Sequence, residues 1–374
     1  MSELGLKDLY AGFRNTDTIS LLAKQITEDA EELDENLNIM EVCGGHTHTI
    51  MKYGLLQLLP KNISFVHGPG CPVCIMPKER IDHAIALANM DDAILLTLGD
   101  MIRIPGSKSS LSLQRAQGKD IRPLYTPMDA VKIAQENPKK KVIFFAIGFE
   151  TTTPMTAALI KTMLEQKITN LFFHINHVLV PPAIDAIMAD AKARVNAFIG
   201  PSHVSVISGT KIFEQVPVSY NTPLVVSGFE PVDVLQGILM IIKQKLQDQA
   251  EVQIQYTRSV TVEGNIKAQK MIKTYLQPRE HFRWRGIGDI PLSAMQLKPE
   301  YASFDAEVVF SEVLPNEAID DHKLCICGAI LRGLSTPMDC EVFGGACTPN
   351  TPLGSCMVSS EGACNAYFRY GGVR

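Results

Sequence analysis

Ile39-Met40-Glu41-Val42-Cys43-Gly44-Gly45-His46-Thr47-His48 opens on a short apolar strand and closes on two histidines, with a thiol and two glycines between them. The residues that follow, 49–59, are amphipathic and predict a helix. The same unit recurs at once: a strand at 63–66, the turn Gly68-Pro69-Gly70-Cys71-Pro72-Val73-Cys74, then a helix over 77–88. Strand, glycine-rich turn and helix in alternation indicate a parallel α/β sheet. Ligands of such sheets bind beyond the carboxyl ends of the strands, so both turns are expected to open on one crevice. Three thiols, Cys43, Cys71 and Cys74, and up to three histidines, His46, His48 and His67, would then face a common pocket. A thiol just ahead of a helix N-terminus is expected to be acidified by the helix dipole and the free backbone N–H groups, which suits metal binding. The bland alternative is a small buried cysteine in a tight turn, with hydrogen-bonded core histidines around it. A second thiol motif so close by in the chain favours the chemical reading.

Working outward, strands at 93–98 and 121–124 continue the alternation, and the polar stretch 106–120 is a surface loop. A second series has strands at 142–147, 171–175, 197–199 and 224–227, with helices at 155–166, 182–193 and 232–247. Strands this uniformly apolar belong to parallel sheets buried on both faces. The fold class expected is therefore α/β: two parallel-sheet βαβ domains facing a cleft, plus a cysteine-rich domain formed by the C-terminal region with the N-terminal helices. The boundaries expected are N-terminal helices over 1–34, α/β domains over 35–130 and 131–250, and the cysteine-rich domain over 251–374. Gly148-Phe149-Glu150-Thr151-Thr152-Thr153-Pro154 and Gly200-Pro201-Ser202-His203 close two of the later strands. Neither matches a phosphate-binding glycine motif, and the threonines serve as helix caps. Glu150 and His203 are placed in the cleft across from Cys43. His174, His177 and Trp284 carry no decisive signal.

A chain of 374 residues with 46% hydrophobic and 20% charged residues is an ordinary globular protein in composition. A net charge of −5 does not suit wrapping of nucleic acid. No apolar run reaches the roughly 18–20 residues of a membrane span, and Met1-Ser2-Glu3-Leu4 lacks the features of a signal peptide. A cytoplasmic location is expected. In that reducing compartment clustered cysteines point to metal or redox work rather than structural disulfides. The nine cysteines are unevenly placed: three before residue 75, none until Cys325, then six in the last fifty residues.

Those six are Cys325, Cys327, Cys340, Cys347, Cys356 and Cys364, interleaved with glycine and proline. Four thiolates hold either zinc or an iron–sulfur cluster. The paired knuckles of structural zinc are missing, and wider intervals favour a cluster. Two thiols are left over, able to form a reversible disulfide beside it. Spacing leaves open which four bind.

Taken together, Cys43-Gly44-Gly45-His46-Thr47-His48, Gly68-Pro69-Gly70-Cys71-Pro72-Val73-Cys74, Gly148-Phe149-Glu150-Thr151-Thr152, Gly200-Pro201-Ser202-His203-Val204-Ser205 and the tail Gly354-Ser355-Cys356-Met357-Val358-Ser359-Ser360-Glu361-Gly362-Ala363-Cys364 resemble the hydrogenase maturation factor HypD family. The resemblance runs through nearly the whole chain, with no departure at the cysteines. The family's tail pattern, Cys-x14-Cys-x6-Cys-x16-Cys, falls on Cys325, Cys340, Cys347 and Cys364. It implies that these four bind a 4Fe–4S cluster and that Cys327 and Cys356 form a redox pair, similar to ferredoxin–thioredoxin reductase. The implied role is assembly of the Fe(CN)2CO group of nickel–iron hydrogenases. Iron would be held between Cys43 and the N-terminal cysteine of the small partner HypC. HypE would deliver cyanide as a thiocyanate on its C-terminal cysteine. Cys71 and Cys74 would accept electrons or help to hold iron or cyanide, with His46 and His48 beside Cys43 binding metal or moving protons. Neither nucleic acid nor membrane is an expected partner. A stand-alone thiol–disulfide oxidoreductase using Cys71/Cys74, and a zinc-stabilised binding module, are the competing readings.

Overall fold

In the strand Lys141–Gly148 every residue after the leading lysine is buried, as a central strand covered on both faces requires. The computed structural model describes residues 11–371 of the chain. Numbered in chain order, the main strands are β1 (Leu37–Glu41), β2 (Ile63–His67), β3 (Ala93–Leu98), β4 (Ile121–Leu124), β5 (Lys141–Gly148), β6 (Leu171–His177), β7 (Ala197–Pro201), β8 (Leu224–Ser227) and β9 (Val252–Ile254). They form two sheets, ordered β2-β1-β7-β8-β9 and β4-β3-β5-β6. Every pairing in both is parallel.

The α/β architecture with parallel sheets and a cysteine-rich C-terminal region is as expected, but the sheets do not divide the chain at residue 130. β3 and β4 do not join β1 and β2. Instead β3 pairs with β5 through Ala93 opposite Lys141 to Thr97 opposite Phe145. The chain leaves the first sheet after β2, builds the whole second sheet, and returns at β7. There Ile39, Met40 and Glu41 lie opposite Ala197, Phe198 and Ile199. Asn196 anchors that return: its side chain accepts from Asn38 N at 2.8 Å and donates to Asn36 O at 2.8 Å. Apolar parallel strands share one pattern, so periodicity reveals a strand without revealing its neighbour.

The N-terminal helix also sits elsewhere than expected. Thr16–Ala30 buries Ile26 and Ala30 in a core shared with Val234, Ile238 and Ile241 of the helix Pro231–Leu246, on the outer face of the first sheet. The cysteine-rich end of the chain lies at the strand ends. Cys327, Cys347, Cys356 and Cys364 share one apolar core with Val42, Cys71, Cys74, Phe145 and Phe198, so the tail is packed across both sheets. Two short antiparallel pairs, Leu276–Pro278 with Met295–Leu297 and, between them in the chain, His281–Trp284 with Gly288–Pro291, fill the flank. Trp284 is a core anchor there, fully buried and donating to Ser293 Oγ at 2.8 Å. Among the described residues no helix is long and apolar enough to cross a membrane.

Candidate metal and thiol site

β1 has β2 on one side and β7 on the other, so the chain leaves its carboxyl end in one direction and comes back in the other. β3, between β4 and β5, repeats this arrangement in the second sheet. Such reversal points leave a crevice that no connection covers. Here the two crevices face each other and merge into one cleft of about 320 Å³. Val42 and Cys43 line it from the first sheet, Leu98, Gly99 and Asp100 from the second, with Phe149, His203 and Glu361 around them.

Cys43 caps a helix that starts five residues earlier than predicted, at Gly44–Lys52. Gly44 and Gly45 are therefore its first turn rather than a loop. The thiol is half-buried and faces the cleft. It is not acidified as expected: burial pushes its pKa up, and the carboxylates of Glu361 and Glu41 add to this, opposed by one backbone N–H from Gly45. Gly70 brings the two motif turns together, since its carbonyl accepts Gly44 N–H at 3.1 Å and a Cβ there would collide with Cys43 N.

The early helix start redirects the histidines, and none of the three expected in the pocket lines it. His46 is buried beneath it, with Nε2 3.0 Å from Gly228 O and the ring stacked on Phe229 at 4.5 Å. Burial lowers its pKa to about 4. His48 meets the edge of Tyr370 at 5.3 Å. His67 bridges Glu41 Oε1 at 2.6 Å and Tyr367 Oη at 3.2 Å. Glu41, wholly buried, also accepts from Thr47 Oγ1 and from Cys43 N at 3.3 Å, and so holds the turn. His203 does line the cleft. Glu150 lies just behind its wall, with Oε1 accepting Val180 N–H at 3.0 Å and Oε2 buried without a partner. Burial raises that carboxyl to about 7. His174 belongs to a buried network with Arg80 and Asn176, and His177 contacts Thr156 Oγ1 at 2.8 Å.

The thiols form a line away from the cleft. Cys71 lies near enough to Cys43 to influence its proton, and Cys71 in turn reaches Cys74. Cys356 follows Ser355, whose Oγ donates to Cys74 O at 2.5 Å, and the Cys327 and Cys74 thiols beside it lower its pKa. Cys327 also contacts Cys325 and Cys364. Cys347 Sγ accepts Leu353 N–H at 3.4 Å, and Cys340 Sγ lies 3.8 Å from Leu324 O, beside Cys325. All nine cysteines are free thiols. The family resemblance implied that Cys327 and Cys356 pair; that the Cys356 turn also meets the second motif, with Ser355 Oγ donating to Cys74 O at 2.5 Å, was not legible in the sequence.

Residues 17–371 match the family model HypD, described as Hydrogenase formation hypA family. The chain belongs to the HypD family. HypD relatives align over nearly their full length. The hydrogenase maturation factor HypD2 of Bradyrhizobium diazoefficiens is 46% identical over 97% of this chain and 96% of its own. HypD of Rhizobium leguminosarum bv. viciae is 48% identical, covering 94% and 93%. HypD of Escherichia coli is 42% identical, covering 96% of each. As a HypD-family protein the chain is a hydrogenase maturation factor. Two cleft residues escaped the sequence reading. Asp100 follows β3 at the second reversal point, a place that only the strand order marks. Glu361 lies inside the HypD tail motif, where its neighbours are read for their thiols.

Proposed function

We propose that the chain is the platform on which, together with HypC, iron acquires its cyanide and carbonyl ligands before delivery to a nickel–iron hydrogenase. The observation that carries this reading is Cys43 in the cleft, with the Cys71–Cys74 turn bonded to its own turn through Gly70 and Cys327, Cys347, Cys356 and Cys364 in one core with Cys71 and Cys74. Iron is the substrate, with Cys43 as this chain's ligand and a HypC cysteine as the other. Soft thiolates suit iron that carries strong-field diatomic ligands. The cleft lining is mainly apolar, with Asp100, His203 and Glu361 as its ionisable groups besides Cys43.

Cyanide arriving from HypE as a thiocyanate needs two electrons. A dithiol of this chain supplies them: the S–CN bond breaks, cyanide and the carrier thiol leave, a disulfide forms and one proton is released. We assign this step to Cys71/Cys74 or Cys327/Cys356. Cys325, Cys340, Cys347 and Cys364 would hold a 4Fe–4S cluster. Their chemistry fits one: four thiols on glycine- and proline-rich loops, with a backbone N–H on Cys347 Sγ and a glycine, Gly354, where a Cβ would collide with Cys325 Sγ and Cys327 Sγ. When bound, the cluster would exchange single electrons beside Cys327 and Cys356.

A free-standing thiol–disulfide oxidoreductase using Cys71/Cys74 would instead turn over a dithiol substrate without HypC and tolerate Cys43→Ala. The test is anaerobic purification. Brown absorbance with about four irons per chain, lost in Cys325→Ala but kept in Cys43→Ala, supports the reading. Zinc without iron, or a full iron complement in Cys325→Ala, overturns it.

A further inference from the structure

Arg285 is 4% exposed. Its Nε donates to Asp321 Oδ1 at 2.6 Å, yet Nη1 and Nη2 are both buried with no acceptor. A guanidinium carries five N–H donors, and leaving four of them unpaired away from water is among the costlier arrangements in a folded protein. The place is equally specific. Arg285 N donates to Ile75 O at 2.7 Å, one residue after Cys74. Gly286 packs directly on Gly328, one residue after Cys327. Asp321 immediately precedes the turn in which Cys325 N donates to His322 O at 2.8 Å. Arg285 is thus wedged between the second thiol motif and the Cys325–Cys327 turn, beside residues proposed above to hold an anionic cluster.

We infer that Arg285 gives its two free Nη groups to the sulfur atoms of the iron–sulfur cluster on the Cys325 side, as a positioning residue that raises the cluster's reduction potential. This rests on the cluster reading and deepens it. With four thiolates the cluster is a dianion that becomes a trianion on taking one electron, and no bond is made or broken. A fixed cation with N–H donors stabilises the more negative state. Asp321 holds the guanidinium at Nε and leaves both Nη groups directed elsewhere.

The test is a potentiometric titration of the full-length protein with dithionite, followed by the EPR signal of the reduced cluster, at equal iron content per chain. Arg285→Gln is expected to lower the midpoint potential by about a tenfold change in the reduced-to-oxidised ratio, about 59 mV for one electron. Arg285→Lys should fall between, and Asp321→Asn should shift the potential upward. An Arg285→Gln potential equal to wild type at full cluster content overturns the inference. So does a downward shift in Asp321→Asn matching that of Arg285→Gln, which would make the pair a structural salt bridge. If Arg285→Gln does not fold, the wild type decides. Protein labelled with guanidino-15N arginine should show a nitrogen coupling to the reduced cluster that Arg285→Lys lacks, and its absence refutes the assignment. A wild-type chain without any cluster would instead sink the function proposed above.

Discussion

Cys43 stands at the cleft with its proton held on by burial and by two carboxylates, so on the proposed function iron would displace that proton rather than find a ready thiolate. Cys43→Ala should abolish hydrogenase maturation while shifting unfolding free energy by only about 1 kcal/mol, because the side chain is small and half-buried. Thermal melts alongside hydrogenase activity check this. Glu150 makes a prediction of opposite kind. Its carboxyl is raised to about 7 by burial, so the folded state holds a proton that the unfolded state has released. Stability is therefore full below the unfolded pKa and is lost as pH rises toward 7. Glu150→Gln should remove that loss, making the protein more stable than wild type by on the order of 2–3 kcal/mol at pH 8 and little changed at pH 4. Denaturant titrations at the two pH values measure it. At this scale the thiols were legible because their spacing and clustering are unusual. The histidines were not, because their direction depends on where the helix begins, and Gly44 and Gly45 look like loop when they are helix.

Among the elements, strands were the most legible and their partners the least. Apolar runs such as Val142–Ile147 announce burial on both faces, yet nothing in them says that β3 pairs with β5 or that β7 returns to β1. That information lies in single polar residues such as Asn196, which staples β7 to β1 and has no periodic signature. The helix Thr16–Ala30 shows the same gap: its apolar stripe was visible, but which surface it covers was not. Ile26 is fully buried against the helix Pro231–Leu246. Ile26→Ala should cost about 2–4 kcal/mol, while the folded protein keeps its full iron content and absorbance, since the cavity lies on the face away from the tail. Loss of the chromophore before loss of the fold would place that helix with the cysteine-rich region after all.

For the whole molecule, the cleft exists because two sheets present their reversal points to each other and the tail closes over the junction. Sequence predicted a cleft between two α/β units, and the motif turns were placed correctly at strand ends. It did not predict that the first sheet is completed only after the second is built, which puts His203 and Cys43 on the same sheet. The cysteine-rich end shares a core with both sheets, so the tail thiols meet the second motif at Cys74 and Cys356. Cys43 holding iron in that cleft is the central step of the proposed function. Infrared spectroscopy of the anaerobically co-purified complex with HypC tests it most directly. Cyanide and carbonyl stretching bands present in the wild-type complex and absent from Cys43→Ala are the predicted result. Bands of equal strength in Cys43→Ala would contradict it.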